Sequence, residues 1–297
     1  MKNDKTTKNV IEISSILEEK NRKKATEPTE ASGPMVISIS SGKGGVGKTN
    51  IVANLGYTFS KMGKKVLIFD ADLGLGNLDI LLGLTPKYNL SHFILGEKKM
   101  EEIIVEGPSG MKIIPAASGI KELAHLSKED KVPIFRKIDE LVNQFDIFMI
   151  DTAAGISNNV LQFSAIAQDV LVVVSPEPTS LTDAYALIKV LSYHYGVSKF
   201  NLVVNMVKSI KEAEDVYNQL KMVTGRFLDI RLNYTGHVLS DEKIPKGVKR
   251  QKIVSDIYPE SPSSLCFKPL AENILKIKRE KRNLEASNFM WGNILNY

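Results

Sequence analysis

Cysteine is nearly absent from this sequence: its 297 residues contain one, Cys266. A single thiol cannot form a disulfide within the chain, and it cannot supply the several thiolates that bind structural zinc or an iron–sulfur cluster. Both kinds of site are therefore excluded for one chain by itself. A protein without internal disulfides suits a reducing compartment, so we expect it in the cytoplasm.

Long apolar runs and a strong charge bias are also missing. No segment approaches the roughly 18 consecutive apolar residues of a membrane-spanning helix, and the N-terminal residues are polar where a secretory signal has an apolar core. We therefore expect a protein that is neither integral to a membrane nor exported. Lysine and arginine number 39 against 34 aspartate and glutamate, a net charge of +5. This modest excess permits an anionic partner without requiring one.

The sequence does contain a regular alternation of apolar runs and helical stretches from residue 35 onward. Short continuous apolar runs are typical of parallel strands buried on both faces, and here they are MVISIS, KVLIFD, MKIIPA, IFMIDT, VLVVVS and NLVVNM. Between them, NIVANLGYTFSKMG and DAYALIKVLSYHYG have helical spacing and end in glycine. The pattern predicts a doubly wound α/β fold, a mostly parallel sheet with helices on both faces and ligands beyond the carboxyl ends of its strands.

Composition divides the chain into three segments. Residues 1–34 have the composition of a flexible tail, in which only VIEISSILEEK has helical spacing. A short helix that docks on a partner is the alternative for that stretch. Residues 35–275 form the predicted domain, and residues 276–297 form a separate, basic C-terminal segment.

The segment GKGGVGKT, residues 42–49, directly follows a predicted strand and precedes a predicted helix. It matches G-x-x-x-x-G-K-[ST], in which glycines let backbone N–H groups turn inward toward phosphate oxygens. Lys48 would neutralise the β and γ phosphates, Thr49 would offer its hydroxyl to Mg²⁺, and the helix that begins near Asn50 would direct its positive end at the nucleotide. The pattern predicts a nucleotide site formed by Gly42, Lys43, Gly44, Gly45, Val46, Gly47, Lys48, Thr49 and Asn50.

Carboxylates end two further predicted strands, at Asp70 and Asp72 in LIFDADLG and at Asp151 in FMIDTAAG. Acidic groups near a phosphate site repel the nucleotide unless a metal ion lies between them or one of them holds water. Asp151 is placed to bind Mg²⁺ directly or through water, as a Walker B aspartate does. For Asp72, a cap on the next helix is the alternative role.

The form KGGVGKT, with Lys43 ahead of Lys48, resembles the deviant Walker A motif of the MinD/ParA superfamily. The resemblance implies a slow, Mg²⁺-dependent ATPase that forms a homodimer on binding ATP. In such a dimer Lys43 reaches the phosphates of the facing subunit and acts in catalysis with Lys48. A cation inserted on dimerisation would stabilise the charge that develops during hydrolysis. The alternative for Lys43 is a solvated loop lysine.

The same resemblance implies roles for the other polar residues. By it, Asp72 orients the attacking water, and Asp70 supports the Mg²⁺ shell to which Asp151 and the P-loop hydroxyl belong. Adenine has no sharp sequence signature, and the resemblance points to Asn205 in LVVNMV and to Asp241 in HVLSDEKIP.

A narrower resemblance concerns the segments DADLGLGNLDILLGL, IIPAASGI, DTAAGIS and SPEPTSLTDAYALIKVL, which are similar to those of the flagellar-number regulators FlhG and FleN. It covers about residues 35–275. It implies control of the number and placement of flagella, with an FlhF-type GTPase, flagellar basal-body or C-ring proteins, or a flagellar transcription regulator as partners. Residues 1–34 lack the DQAxxLR motif by which some members activate that GTPase.

Two further partners follow from basic segments. A DNA- or cargo-partition ATPase is the alternative function, but KIPKGVKRQK has no interleaved aromatic residue to stack on bases, so DNA is disfavoured. In residues 276–297, cationic residues precede NFMWGNILNY, whose apolar residues have helical spacing. This pattern predicts a helix that binds an anionic membrane surface reversibly from the cytoplasm. A helix packed permanently on the domain is the alternative.

Overall fold

An eight-stranded sheet forms the centre of the fold. The computed structural model describes residues 33–72, 76–115 and 128–277. The strands are β1 (Met35–Ser41), β2 (Val66–Ala71), β3 (Val105–Glu106), β4 (Lys112–Ile114), β5 (Ile147–Ala154), β6 (Asp169–Val174), β7 (Lys199–Val207) and β8 (Arg231–Leu239). They lie in the order β3-β4-β2-β5-β1-β6-β7-β8. Among the strands of these described ranges, only the pair β3 and β4 is antiparallel. This confirms the predicted doubly wound, mostly parallel sheet.

Helices connect the strands and cover both faces of the sheet. They are α1 (Lys48–Lys61), α2 (Leu78–Leu82), α3 (Leu90–Ile94), α4 (Met100–Ile103), α5 (Lys128–Val142), α6 (Asn158–Ile166), α7 (Pro178–Tyr195), α8 (Ile210–Phe227), α9 (Lys243–Lys249), α10 (Val254–Ile257) and α11 (Pro262–Leu275). The two predicted helices are α1 and α7. Each is followed by a left-handed glycine, Gly63 (φ 79°) and Gly196 (φ 68°), a conformation that glycine adopts without steric cost.

Alternate residues of the central strand pack on opposite faces. Ile37 and Ile39 of β1 belong to a core cluster with Phe59 of α1 and Phe267 of α11. Val36 belongs to a second cluster with residues of α5 and α6. Burial on both faces explains why the strand sequence is continuously apolar, as parallel strands covered by helices require.

The edge strand β8 was not predicted, because its residues are largely polar. A strand with one neighbour does not need the continuous apolar run of a central strand. Side chains from both flanking helices bond its carbonyls: Tyr217 of α8 donates to Leu232 O (3.1 Å) and Asn273 of α11 to Thr235 O (3.0 Å). The segment HVLSDEKIP, which contains Asp241, comprises the end of β8, a turn and the start of α9.

Two predicted segments lie mainly outside the described residues. The predicted N-terminal tail is described only at Gly33 and Pro34, and the C-terminal segment only at Lys276 and Ile277. Among the helices of the described ranges, none is long and apolar enough to cross a membrane.

Candidate nucleotide site

The predicted phosphate loop joins the end of β1 to the start of α1. Gly45 (φ 81°) and Gly47 (φ 84°) have left-handed backbone conformations that other residues rarely adopt. Gly42 packs against α7 so closely that a Cβ atom there would lie 2.1 Å from the carbonyl oxygen of Asp183. At Gly44 and Gly45 a Cβ atom would meet nothing within 4 Å. The loop is therefore seated on one side and open on the other, as a phosphate cradle requires.

Lys48, the first residue of α1, lies at the centre of the charged groups. Its ammonium is 2.5 Å from Oδ1 of Asp151, and both side chains are almost fully buried. Burial raises the pKa of Asp151, while the charge and hydrogen bond of Lys48 and a hydrogen bond from Thr49 oppose that rise. The structure thus brings together three residues predicted to bind phosphate and Mg²⁺.

Asp70 lies beside Asp151, because β2 and β5 are paired in register with these two residues opposite each other. Burial, and then the negative charge of Asp151, raise the pKa of Asp70 to about 7. Its oxygens accept hydrogen bonds from the backbone N–H of Asp72 (3.2 Å) and Leu78 (3.4 Å). Two carboxylates forced together in a buried site favour a divalent cation between or beside them.

A magnesium site at this position would be incomplete with protein ligands only. Among the described residues, no group of three or more carboxylate, histidine or cysteine side chains could hold a metal ion. Mg²⁺ prefers six oxygen ligands and commonly takes several from water and substrate phosphates. The donor set of Thr49, Asp70 and Asp151, one hydroxyl and two carboxylates, fits that requirement.

The side chain of Lys43 reaches the start of α7. Its ammonium donates to the carboxylate of Glu177 and, at 2.9 Å, to the hydroxyl of Thr179. The Glu177 side chain is 61% exposed. Lys43 is thus paired within this chain while its side chain stays partly exposed, and its contact with a facing subunit stays a prediction, as does the alternative of a solvated loop lysine.

Asn205, predicted to contact adenine, lies buried behind the phosphate loop. Its Nδ2 donates to the carbonyl of Val46 at 2.7 Å, so the side chain supports the loop. Within the described residues its Oδ1 is buried without a hydrogen-bond partner. The adjacent Met206 has φ 62°, unusual for a residue with a side chain, at a bulge between β7 and β8. Strain of this kind is concentrated at functional sites.

Asp241 bonds two other segments of the chain. Its Oδ1 accepts from the backbone N–H of Lys243 (2.8 Å), and its Oδ2 accepts from both the N–H (3.2 Å) and the hydroxyl (2.8 Å) of Ser263. Burial raises its pKa, but these hydrogen bonds outweigh that effect and lower it overall. Asp241 thus fixes α9 to the start of α11. Contact of Asp241 or Asn205 with adenine stays a prediction.

A cavity of about 750 Å³ opens above the loop. Its polar floor includes Lys48, Thr49, Asn50 and Asp72. The opposite walls are apolar, and they consist of Ile80, Leu81, Met206, Ile244, Pro245 and Val248. A polar floor for phosphates and an apolar wall for a base and sugar match a nucleotide in shape and size.

The apolar wall and the partners of Lys43 were not predicted from the sequence. Ile244 and Val248 are four residues apart and share one face of α9, a signal hidden among the lysines of KIPKGVK. Those lysines are partly neutralised, since Lys243 and Lys246 both contact Glu242. Met206 carried no local signal of its left-handed conformation.

Comparison with known proteins gives consistent matches. A family model described as an AAA domain matches residues 34–214, from just before β1 into α8. Antiactivator FleN of Pseudomonas aeruginosa is 43% identical over 239 residues, covering 80% of this chain and 85% of FleN. Flagellum site-determining protein YlxH of Helicobacter pylori is 36% identical over 250 residues, covering 84% of each chain. The septum site-determining protein MinD from Pyrococcus horikoshii, solved in complex with Mg-ADP, has a TM-score of 0.67 and 27% identity, covering 82% of this chain and 96% of that one.

Proposed function

Because this chain belongs to the MinD/ParA-type ATPases, in the branch of the flagellar-number regulators FlhG and FleN, we propose that it is an ATP-dependent dimerising switch controlling the number and placement of flagella. The observation that carries the biochemical part is the convergence of Lys48, Asp70 and Asp151 beneath one cavity. The flagellar part is supported by similarity to FleN and YlxH over more than 80% of their lengths.

The residues of the cavity divide the work of hydrolysis. Lys48 and the N–H groups of the phosphate loop bind the triphosphate, while Thr49, Asp70 and Asp151 would hold Mg²⁺. Bound Mg²⁺ would neutralise phosphate charge during the reaction. Asp72 lines the cavity, where its carboxylate can accept a hydrogen bond from water and orient it toward phosphorus. Slow turnover follows if the catalytic set is complete only when Lys43 arrives from a second subunit.

Dimerisation is supported by the surface around the cavity. Ile80, Met206 and Val248 line it yet are 55%, 42% and 39% exposed. Clustered exposed apolar side chains are typical of a surface that another protein covers. The contact of Lys43 with Glu177 is exposed and therefore weak, so Lys43 can leave it for a phosphate of the facing subunit.

The partners and the cellular site are part of the proposal. We infer an FlhF-type GTPase, a flagellar basal-body or C-ring protein, or a flagellar transcription regulator as the protein partner, because FleN is named an antiactivator and YlxH a flagellum site-determining protein. A cytoplasmic protein that binds the inner face of the membrane through residues 284–297 suits this role.

Light scattering on purified variants tests the switch. Wild-type protein and Asp72→Ala should dimerise with Mg-ATP and not with Mg-ADP, and Asp72→Ala should lack turnover. Lys43→Ala should bind ATP and remain monomeric, whereas Lys48→Ala should fail to bind. Deleting residues 284–297 should preserve the dimer and abolish pelleting with anionic liposomes. A Lys43→Ala protein that dimerises normally would remove Lys43 from the interface.

The flagellar role is tested separately, in the host cell. Deleting the gene should change the number or position of flagella counted by electron microscopy. Wild-type protein should restore the pattern, and Lys48→Ala should not. An unchanged pattern after deletion would reject the flagellar role and leave the ATPase assignment intact.

A further inference from the structure

A second pocket lies at the opposite end of the sheet from the nucleotide cavity. It occurs where β7 and β8 begin, beside the C-terminal end of α11, and measures about 300 Å³. We call it the basal pocket, and the side chains that characterise it are Lys199, Asn201, Arg231, Asn233, Asn273 and Lys276. None of these residues lines the nucleotide cavity.

The floor of the basal pocket is an ordered row of amides. Asn201 is 1% exposed; its Nδ2 donates to Asp169 Oδ1 (3.3 Å), and its Oδ1 accepts from Asn233 Nδ2 (3.2 Å). An ionised carboxylate only accepts hydrogen bonds, so Asp169 fixes which way Asn201 is oriented, and Asn201 then fixes Asn233. The polar floor is thus held in one arrangement before any ligand arrives, which lowers the entropic cost of binding.

The rim of the basal pocket is cationic. Within the described ranges, 33–72, 76–115 and 128–277, the side chains of Arg231 and Lys276 have no ion-pair or hydrogen-bond partner. Lys199 is paired, and its ammonium lies 3.8 Å from Oδ1 of Asp169. Arg231 and Lys276 are both exposed, so their donors are hydrated and are accessible to a ligand that enters the pocket.

The charge balance favours an anion. Lys199 and Asp169 form an ion pair whose charges cancel, so Arg231 and Lys276 contribute the two remaining positive charges. The C-terminal end of α11 adds about half a negative charge through its free carbonyls. The remaining excess, roughly one and a half positive charges, attracts a small dianion. Arginine presents a planar fork of donors that matches phosphate oxygens in two-point contact.

We propose that the basal pocket binds a phosphate monoester group, with Arg231 and Lys276 contacting the phosphate and the Asn233 amide contacting a neighbouring hydroxyl. A pocket of this size holds a phosphate with a small polar group attached. The phosphate group is shared by a soluble ester and by a lipid head group, so the experiment must distinguish these two sources.

Calorimetric titration of full-length protein tests the proposal. Saturating Mg-ADP is present throughout to occupy the nucleotide site, and ionic strength is constant. Inorganic phosphate should bind wild-type protein, and Arg231→Gln or Lys276→Gln should each weaken binding about tenfold, because each removes a charge-assisted hydrogen bond. Lys268→Gln is the matched control, since Lys268 is exposed on α11, the helix that ends just before Lys276, but does not line the pocket. It should leave binding unchanged.

Two further arms identify the source of the phosphate. Tighter, Arg231-dependent binding of glycerol 3-phosphate than of inorganic phosphate would assign a soluble ester. Arg231-dependent binding to vesicles that contain phosphatidic acid, with no gain for glycerol 3-phosphate, would assign a lipid head group. The proposal is overturned if phosphate does not bind once Mg-ADP is present, if Arg231→Gln binds like wild type, or if Lys268→Gln weakens binding equally.

Discussion

The pKa of Asp70 gives a quantitative prediction about stability. Asp70 is buried beside Asp151, and these two causes raise its pKa from an ordinary value near 4 to about 7. Such a rise corresponds to about 4 kcal/mol of free energy between the protonated and ionised forms. The folded protein without bound metal therefore tolerates an ionised Asp70 poorly.

The direction of the pH effect follows from proton binding. Between pH 4 and pH 7 the folded state holds a proton on Asp70 that the unfolded state has lost, so the free energy of unfolding decreases as pH rises. The stabilisation that the folded state gains from this proton is fully present below about pH 4 and absent above about pH 7. About 1.5 kcal/mol is already lost at pH 5, so the loss between pH 5 and pH 8 is about 3 kcal/mol.

Asp70→Asn removes this titration. Urea unfolding in EDTA should show the variant gaining about 3 kcal/mol relative to wild type between pH 5 and pH 8. At both pH values the variant also loses one hydrogen bond, because an amide has one acceptor oxygen where Asp72 N–H and Leu78 N–H now have two. Mg-ADP should reduce the pH effect in wild type, since a cation favours the ionised carboxylate.

Asp215→Asn, on the exposed surface of α8, is the control for this experiment. It removes a carboxylate from solvent rather than from the buried site, so its effect should be small and equal at both pH values. If Asp70→Asn also differs from wild type by the same amount at pH 5 and pH 8, Asp70 titrates normally and the reasoning is refuted.

Two further predictions concern the phosphate loop. Gly42→Ala should lower both the melting temperature and the nucleotide affinity, because its Cβ would lie 2.1 Å from the Asp183 carbonyl oxygen. Gly44→Ala, with open space around it, should melt like wild type. Equal melting temperatures of the two variants would contradict the close packing of Gly42. Glu177→Gln should lower the protein concentration needed for ATP-dependent dimerisation by up to about thirtyfold, because each of the two subunits breaks an exposed ion pair that contributes at most about 1 kcal/mol. Analytical ultracentrifugation measures this, and an unchanged or higher threshold would show that the contact with Lys43 does not oppose dimerisation.

The buried strands were predictable because burial on both faces leaves a continuous apolar run, as in VLVVVS of β6. The charged cluster was predictable for a related reason. Parallel strands end at the same edge of a sheet, so Asp70 and Asp151 had to lie close to the loop that follows β1. In each case one physical rule connects a local pattern with a three-dimensional arrangement.

Other features had no such local pattern. Lys43 and Glu177 are 134 residues apart in the sequence, and their contact depends on how closely Gly42 packs against α7. Strand β8 contains Asn233, whose partner Asn201 is on the neighbouring strand, so its polarity is explained only by the pairing. Contacts between distant segments are set by packing, which the spacing of residue types does not encode.

Lys48 and Lys43 differ in the burial of the carboxylate partner that each would lose when it binds phosphate. Asp151 is 2% exposed, so leaving it ionised without Lys48 would strand a buried charge, which is strongly destabilising. Glu177 is 61% exposed, and water can solvate it at little cost when Lys43 departs. Nucleotide binding should therefore require Mg²⁺, since a cation must take over Asp151. Given bound Mg-ATP, the later release of Lys43 should need no further ion.

Two measurements test this difference between Lys48 and Lys43: the Mg²⁺ dependence of ATP binding and the protein concentration needed for dimerisation. EDTA should weaken ATP binding by wild type, and less so by Asp151→Asn, whose side chain carries no charge to be stranded. By contrast, Glu177→Gln should leave the Mg²⁺ dependence of ATP binding unchanged while shifting dimerisation, because the Lys43 contact is broken only when the subunits meet. If Glu177→Gln altered the Mg²⁺ dependence of binding in the monomer, the two exchanges would be coupled within one chain, and Lys43 would belong to its own nucleotide site rather than to that of the facing subunit.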